Sequence, residues 1–196
     1  EDGTHVLVKI RDGMMWHDGE PVTVDDVKYS FEVPKTGESP MYAPFVSRID
    51  SIDVVDDSTL RFTLTEPWVA FEVASLAKVN IIPKHIWEPI ITDLMNKDEN
   101  AESLTANDPE TKIGSGPFRY VAWVENEQAI LEANPDHFSP PHADRFIMKI
   151  IPNAESTLGQ IQTGELNFLR EWSGDSSIMS RPKAAAPATS ERSVSP

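Results

Sequence analysis

An imidazole and two carboxylates stand together at His17-Asp18-Gly19-Glu20, a set of groups from which a zinc or hard-metal site can begin. A metal loop needs further ligands at defined spacing, and none follow. The same residues read better as a tight turn, in which Asp-Gly supplies a positive φ and Pro21 leads into a helix cap at Thr23. His137 and His142, with Asp136 and Asp144 beside them, form a second group of candidate ligands. Pro140-Pro141 between them sets an extended loop instead of one helix face, and a ligand cluster needs convergent geometry. Gly114-Ser115-Gly116 lacks both the G-x-S-x-G of a nucleophile elbow and the Gly-Lys-Ser/Thr ending of a phosphate loop. A strand-like run follows Pro117, so no helix N-terminus is available there for an anion. The last catalytic option is a hydrolase using Asp18 and Glu20 as an acid pair. Two residues apart in a turn, they sit poorly with the roughly 5 to 10 Å by which working carboxylates straddle a substrate. These residues call for no cofactor and no metal.

Composition narrows the classes further. The chain has no cysteine, which excludes thiol catalysis, disulfides and thiolate metal sites and suits an exported bacterial protein as well as a cytosolic one. Seventeen Lys and Arg against 32 Asp and Glu give a net charge of −15. Such a charge repels a phosphate backbone and an anionic membrane surface, so nucleic acid is not an expected partner. A length of 196 residues, 39% of them hydrophobic, is enough for one ordinary domain or two small ones with a hydrophobic core. No apolar run approaches the roughly 18 residues of a membrane span. The opening Glu1-Asp2-Gly3 has neither the basic nor the apolar region of an export signal, which reads as a leader removed or not included.

The elements that must position these groups follow from periodicity. Val6 to Ile10 alternates like a strand; Thr23 caps a helix with Val24, Val27 and Phe31 on one face, which Pro34 ends. Ile52 and Val54, then Leu60, Phe62 and Leu64, predict a hairpin across Asp56-Asp57-Ser58. Residues 67 to 77 suit a short helix, Val79 to Ile82 a buried strand, and Pro83 to Trp87 one more turn of helix. The polar stretch from Lys97 to Lys112 looks like a crossing between substructures, with a boundary near Asn107. Beyond it come a second hairpin over residues 115 to 138 and a strand over Arg145 to Ile151, apolar on both faces and therefore expected to be central. Asn153 caps a helix with Ala154, Leu158 and Ile161 inward, Gly164 ends it, and Leu166 to Leu169 is the next strand. The fold class expected is mixed α/β. Ser173 to Pro196, rich in Ser, Ala and Pro, lacks the apolar surface to offset its ordering entropy and is expected to be mobile. Of the five tryptophans, Trp16, Trp68, Trp87 and Trp123 read first as core. Trp172, after a predicted strand and beside the tail, is the exception.

Three stretches in this order resemble the family 5 extracellular solute-binding proteins of ABC importers. Trp16-His17-Asp18-Gly19-Glu20-Pro21-Val22-Thr23 through Asp26-Val27 is similar to that family's aromatic-x-D/N-G-x-P-[LV]-T-x-x-D-[VF] signature. Gly114-Ser115-Gly116-Pro117-Phe118, then Trp123 and Leu131-Glu132-Ala133-Asn134-Pro135, resembles G-T-G-P-Y…W…L-x-x-N-P. Ile151-Pro152 through Gly164-Glu165-Leu166-Asn167 resembles I-P-D…Q-x-G-E-[IV]-D. The likeness covers about residues 4 to 172, with Ser115, Phe118 and Asn167 as mild departures.

The resemblance implies a fragment of a periplasmic-binding-protein-like fold of type II, in which two α/β lobes close on a ligand. Residues 1–106 would be the family's extra domain and 107–172 part of its first lobe, with 173–196 a tail. It implies a binding protein, not an enzyme, located in the periplasm or outside the cell and in some members lipid-anchored. Its ligand would be a peptide, a nickel complex or an oligosaccharide, and its partner an ABC permease. In peptide-binding members the loop after the first signature helix carries an aromatic that reaches the ligand, which here would be Tyr42, with Met41 beside it and Trp172 as a further contact. A competing reading is an interaction module with no small ligand, dimerising through the core face that an absent lobe would leave exposed.

Overall fold

Thr23 begins the first helix as its sequence predicts. The structure, a computed structural model, describes residues 3–37, 39–97 and 110–169, and in it Thr23 and Asp26 form a reciprocal capping box at the head of helix α1 (Val24–Glu32). Val24, Val27 and Phe31 are buried on one face of it. Helix α1 stops at Glu32, just before Pro34, as expected. The chain continues as a 3-10 turn over Val33–Thr36, in which proline's missing N–H costs nothing, and Gly37, at φ +92°, ends it.

That helix lies over an antiparallel sheet of strands β1 (His5–Lys9), β2 (Ile49–Asp56) and β3 (Thr59–Leu64), in the order β1-β3-β2. A one-turn helix, α2 (Ala43–Val46), precedes β2. Phe62 sits opposite Val6 on one side and Ile52 on the other. Its ring meets Phe31 edge-on at 5.1 Å and Phe71 at 5.5 Å, and Leu60, Leu64, Val46, Ile49 and Val79 complete the core. Helix α3 (Lys84–Asn96) adds a smaller cluster in which Ile91 and Leu94 pack on Val33.

Three predicted elements of this region differ. Residues 67 to 77 hold only a π-type turn, Glu72–Leu76. Val79 to Ile82 is not a strand, because its backbone bonds go to side chains and turns: Val79 N–H donates to Ser75 C=O, and Ile82 N–H to Ser30 Oγ at 2.9 Å. The turn predicted at Pro83 is the start of thirteen helical residues, which continue through Pro89.

A second sheet has the order β4-β5-β6, from strands β4 (Phe118–Val124), β5 (Gln128–Ala133) and β6 (Arg145–Lys149). Strand β6 was expected to be central; it is an edge strand, exposed at all five residues. Trp123 on β4, expected in the core, is exposed as well. Asn153 caps helix α4 (Ala154–Thr163), and Gly164, at φ +79°, terminates it. The buried residue of that helix is Thr157, while Ile161, expected inward, is exposed. Leu166 to Leu169 joins no ladder among the described residues, the Leu166 N–H being used to close α4 on Gln160 C=O. The chain falls into two compact units, residues 1–123 with 130–146, and residues 124–129 with 147–196. The boundary expected near Asn107, Trp172 and the tail lie outside the described residues.

Candidate functional site

The His17-Asp18-Gly19-Glu20 group is a turn closed by its own backbone and by the Asp18 carboxylate. Gly19 takes φ +95°, and Trp16 N–H donates to Glu20 C=O at 2.7 Å while Glu20 N–H donates to Asp18 Oδ1 at 3.1 Å. From this turn three side chains reach outward. Gly114 N–H donates to His17 Nδ1 at 3.3 Å, so Nε2 carries the hydrogen and donates to Gly116 C=O at 2.9 Å. One neutral imidazole thus ties the first signature stretch to the second. Asp18 Oδ2 meets His85 Nε2 at 2.8 Å, fixing the turn to the head of α3. Burial pushes the Asp18 carboxyl up, but the His85 ring and the Glu20 N–H outweigh it and hold the group below its usual value.

Trp16 reaches the third partner. Its indole donates to Asp26 Oδ2 at 3.3 Å, an oxygen that also accepts from the backbone and hydroxyl of Thr23, both at 2.8 Å. Asp26 Oδ1 accepts from Lys84 N–H at 2.8 Å. A carboxylate only 4% exposed is therefore met by four donors, which is what burial of a charge demands. The second signature has its own buried hub in Asn134, whose N–H donates to Pro117 C=O at 2.8 Å and whose Oδ1 accepts from Arg119 at 2.6 Å. Arg119 also pairs with Asp136 at 2.9 Å. Farther along α1, burial first and the charge of Glu88 second push the Tyr29 phenol up to about 12.

The remaining histidines do not converge. His137 contacts the backbone of Ser139 two residues on, and the described residues hold no group of three or more His, Asp or Glu able to surround a metal ion. Gly114 to Gly116 leads into β4 and supplies carbonyls to His17 and Asn134. The carboxylates of Asp18 and Glu20 belong to one turn and do not face each other across a cleft.

Met41 and Tyr42 occupy the loop before α2. Tyr42 N–H donates to Ser39 C=O at 3.0 Å, its own carbonyl accepts from Phe45 N–H at 3.0 Å, and its ring stands edge-on to Phe45 at 6.3 Å. The phenolic oxygen accepts from Asn80 Nδ2 at 2.8 Å. Met41 beside it is 70% exposed. Sequence reasoning missed Asn80 and His85, because both meet their partners across long sequence separations. The signal for Asp26 lay in its place three residues after Thr23, the spacing of a capping box.

Residues 1–188 match the profile described as bacterial extracellular solute-binding proteins, family 5 Middle. The chain belongs to this family. Its members are binding proteins, not enzymes. The oligopeptide-binding protein AppA of Bacillus subtilis is 32% identical over 167 residues, which are 82% of this chain and 29% of AppA. The structure of that AppA with a nonapeptide superposes with a TM-score of 0.71 at 29% identity, covering 84% of this chain and 32% of the other. NikZ of Campylobacter jejuni, in complex with Ni(L-His), gives 0.71 at 27% identity, with coverage of 85% and 31%. The ABC transporter substrate-binding protein CtaP of Listeria monocytogenes gives 0.69 at 31% identity, with coverage of 85% and 33%. The chain thus spans about a third of the length of the relatives it matches, and its mixed α/β fold corresponds to that share of theirs. Among the described residues no helix is long and apolar enough to cross a membrane.

Proposed function

We propose that this chain forms part of the substrate-binding component of an ABC importer and that it contributes a peptide contact from the Met41–Tyr42 loop. The observation that carries the reading is the loop itself: an anchored tyrosine, its ring held by Phe45 and its hydroxyl by Asn80, beside a methionine left exposed. Aromatic and thioether side chains suit ligands of varied sequence, offering apolar contact with little demand on shape. Of the ligands held by these relatives, AppA's nonapeptide suits an aromatic and a thioether side chain better than the nickel complex of NikZ does.

On this reading residues 1–106 are the family's extra domain, 107–172 part of its first lobe, and Trp172 a further contact. The protein works in the periplasm or outside the cell and hands its solute to a membrane permease. Native mass spectrometry of the chain with a mixed pool of di- to hexapeptides, then with nickel–histidine and a mannose oligosaccharide, tests it. Peptide adducts that weaken in Tyr42→Ala are expected; adducts only with the other two, or none, overturn it. A second copy binding through the exposed β6 is the competing partner, and the same spectra register it as a dimer.

A further inference from the structure

We propose that Asp12-Gly13 is a site of spontaneous isoaspartate formation, and that the same dipeptide at Asp18-Gly19 is held back from this reaction by its hydrogen bonds. The modification is independent of any ligand.

The reaction joins the glycine backbone nitrogen to the side-chain carbon Cγ of the preceding aspartic acid. The nitrogen gives up its hydrogen and the acid its hydroxyl; the two leave as water, and a cyclic succinimide remains. Water then opens the ring. Attack at Cγ restores aspartate, while attack at the main-chain carbonyl leaves the chain running through the side chain. Nothing is oxidised or reduced, and water is the only co-reactant. The step needs a carboxyl group free to turn, an unbonded N–H, and no Cβ crowding the nitrogen, which is why glycine is the favourable neighbour.

The chain meets these conditions at one of its two described Asp-Gly turns. Asp12 and Gly13 are exposed, Gly13 takes φ +73°, and a Cβ placed on it would meet no atom within 4 Å. Among the described residues neither the Asp12 carboxylate nor the Gly13 N–H has a hydrogen-bond partner. The neighbouring Arg11 guanidinium lies over the Phe138 ring, 4.5 Å from its centroid. At Asp18-Gly19 each reacting group is engaged. Asp18 Oδ1 accepts from Glu20 N–H at 3.1 Å, Oδ2 meets His85 Nε2 at 2.8 Å, and Gly19 N–H donates to Trp16 C=O at 3.0 Å. Against the opposing effect of burial, the His85 ring and the Glu20 N–H also hold this carboxyl below its usual value, and a carboxylate has no hydroxyl to lose. Residues 11 to 13 run between two fixed points, Ile10 N–H on Ser58 C=O and Val22 N–H on Met14 C=O, both at 2.9 Å. Isoaspartate adds one methylene to the backbone between them, so the modification lengthens the link from β1 to the first signature turn.

Peptide mapping of the chain aged in mildly acidic buffer, folded and in urea, tests the assignment. Isoaspartate is read as a peptide of unchanged mass and shifted retention that endoproteinase Asp-N no longer cleaves, and the succinimide as a peptide lighter by one water. In the folded chain Asp12 is expected to convert roughly tenfold faster than Asp18, the worth of the hydrogen bonds that restrain the second turn. In urea the two rates should converge. Asp12→Glu, whose longer side chain closes the ring poorly, should abolish the first product. Equal rates in the folded chain, a product that persists in Asp12→Glu, or no product at Asp12 while the urea-unfolded chain converts, would overturn the proposal.

Discussion

Strand β3, Thr-Leu-Arg-Phe-Thr-Leu, alternates, and each of its three apolar residues is buried; strand β6, Arg-Phe-Ile-Met-Lys, is apolar at three successive positions, and all five residues are exposed. The first pattern asks for cover on one face, and α1 with the chain around Phe71 supplies it. The second asks for cover on both faces. The described residues cover them only in part, and relatives such as AppA are about three times as long. A strand's pattern thus reports the surroundings it is suited to, while its burial reports those present in this chain.

The largest expected effect tests that contrast. Phe62, with 0% exposure, holds two aromatic contacts, so Phe62→Ala should lower the unfolding free energy by about 3–5 kcal/mol. Phe146 is 39% exposed and touches Phe118 at 5.8 Å, so Phe146→Ala should cost less than about 1 kcal/mol. Urea denaturation of both variants measures it. Equal losses would mean that β6 is covered in solution, and the contrast would break.

The contrast also explains what was legible in the sequence. Periodicity located α1, the β2–β3 hairpin and the caps at Thr23 and Asn153, because each is decided within a few residues. Val79 to Ile82 looked like a strand because apolar content alone cannot say where backbone bonds go, and here they go to Ser30 and Ser75. The length of α3 was hidden by Pro89, which a propensity argument treats as a breaker. The family signatures were plain, yet the reason for their residues was not. His17, Asp26 and Asn134 recur as a string of letters in sequence, whereas in space each is a hub for segments far apart.

Two aspartates eight residues apart sharpen the comparison of buried with exposed. Asp26 is sealed from water and meets four donors, so Asp26→Ala leaves the Thr23 and Lys84 N–H groups without their acceptor. A loss of about 2–3 kcal/mol is expected in urea denaturation. Asp26→Asn should recover only part of it, because one oxygen becomes an NH2 group aimed at a donor. A neutral outcome for either variant would mean that water takes the carboxylate's place, and that the cap is not the anchor of α1.

Asp18, in contrast, is partly exposed and joined to a partly exposed His85, so its contribution is smaller and its pH dependence is the more informative quantity. Its carboxyl is held below the ordinary 3.8 by the His85 ring and the Glu20 N–H, against the opposing effect of burial. A folded-state value below the unfolded one means that the stabilisation is present above the unfolded value and disappears as pH falls through the folded one. Asp18→Asn should therefore cost less than about 1 kcal/mol at neutral pH, as exposed pairs do. The gap between wild type and variant should close from about pH 4 downward. Urea midpoints of the two proteins between pH 7 and pH 2 measure that gap. If it widened on acidification, the turn would owe its place to the neutral acid instead of the carboxylate, and Asp18 would resemble a hydrogen-bond donor to the turn more than a partner for His85.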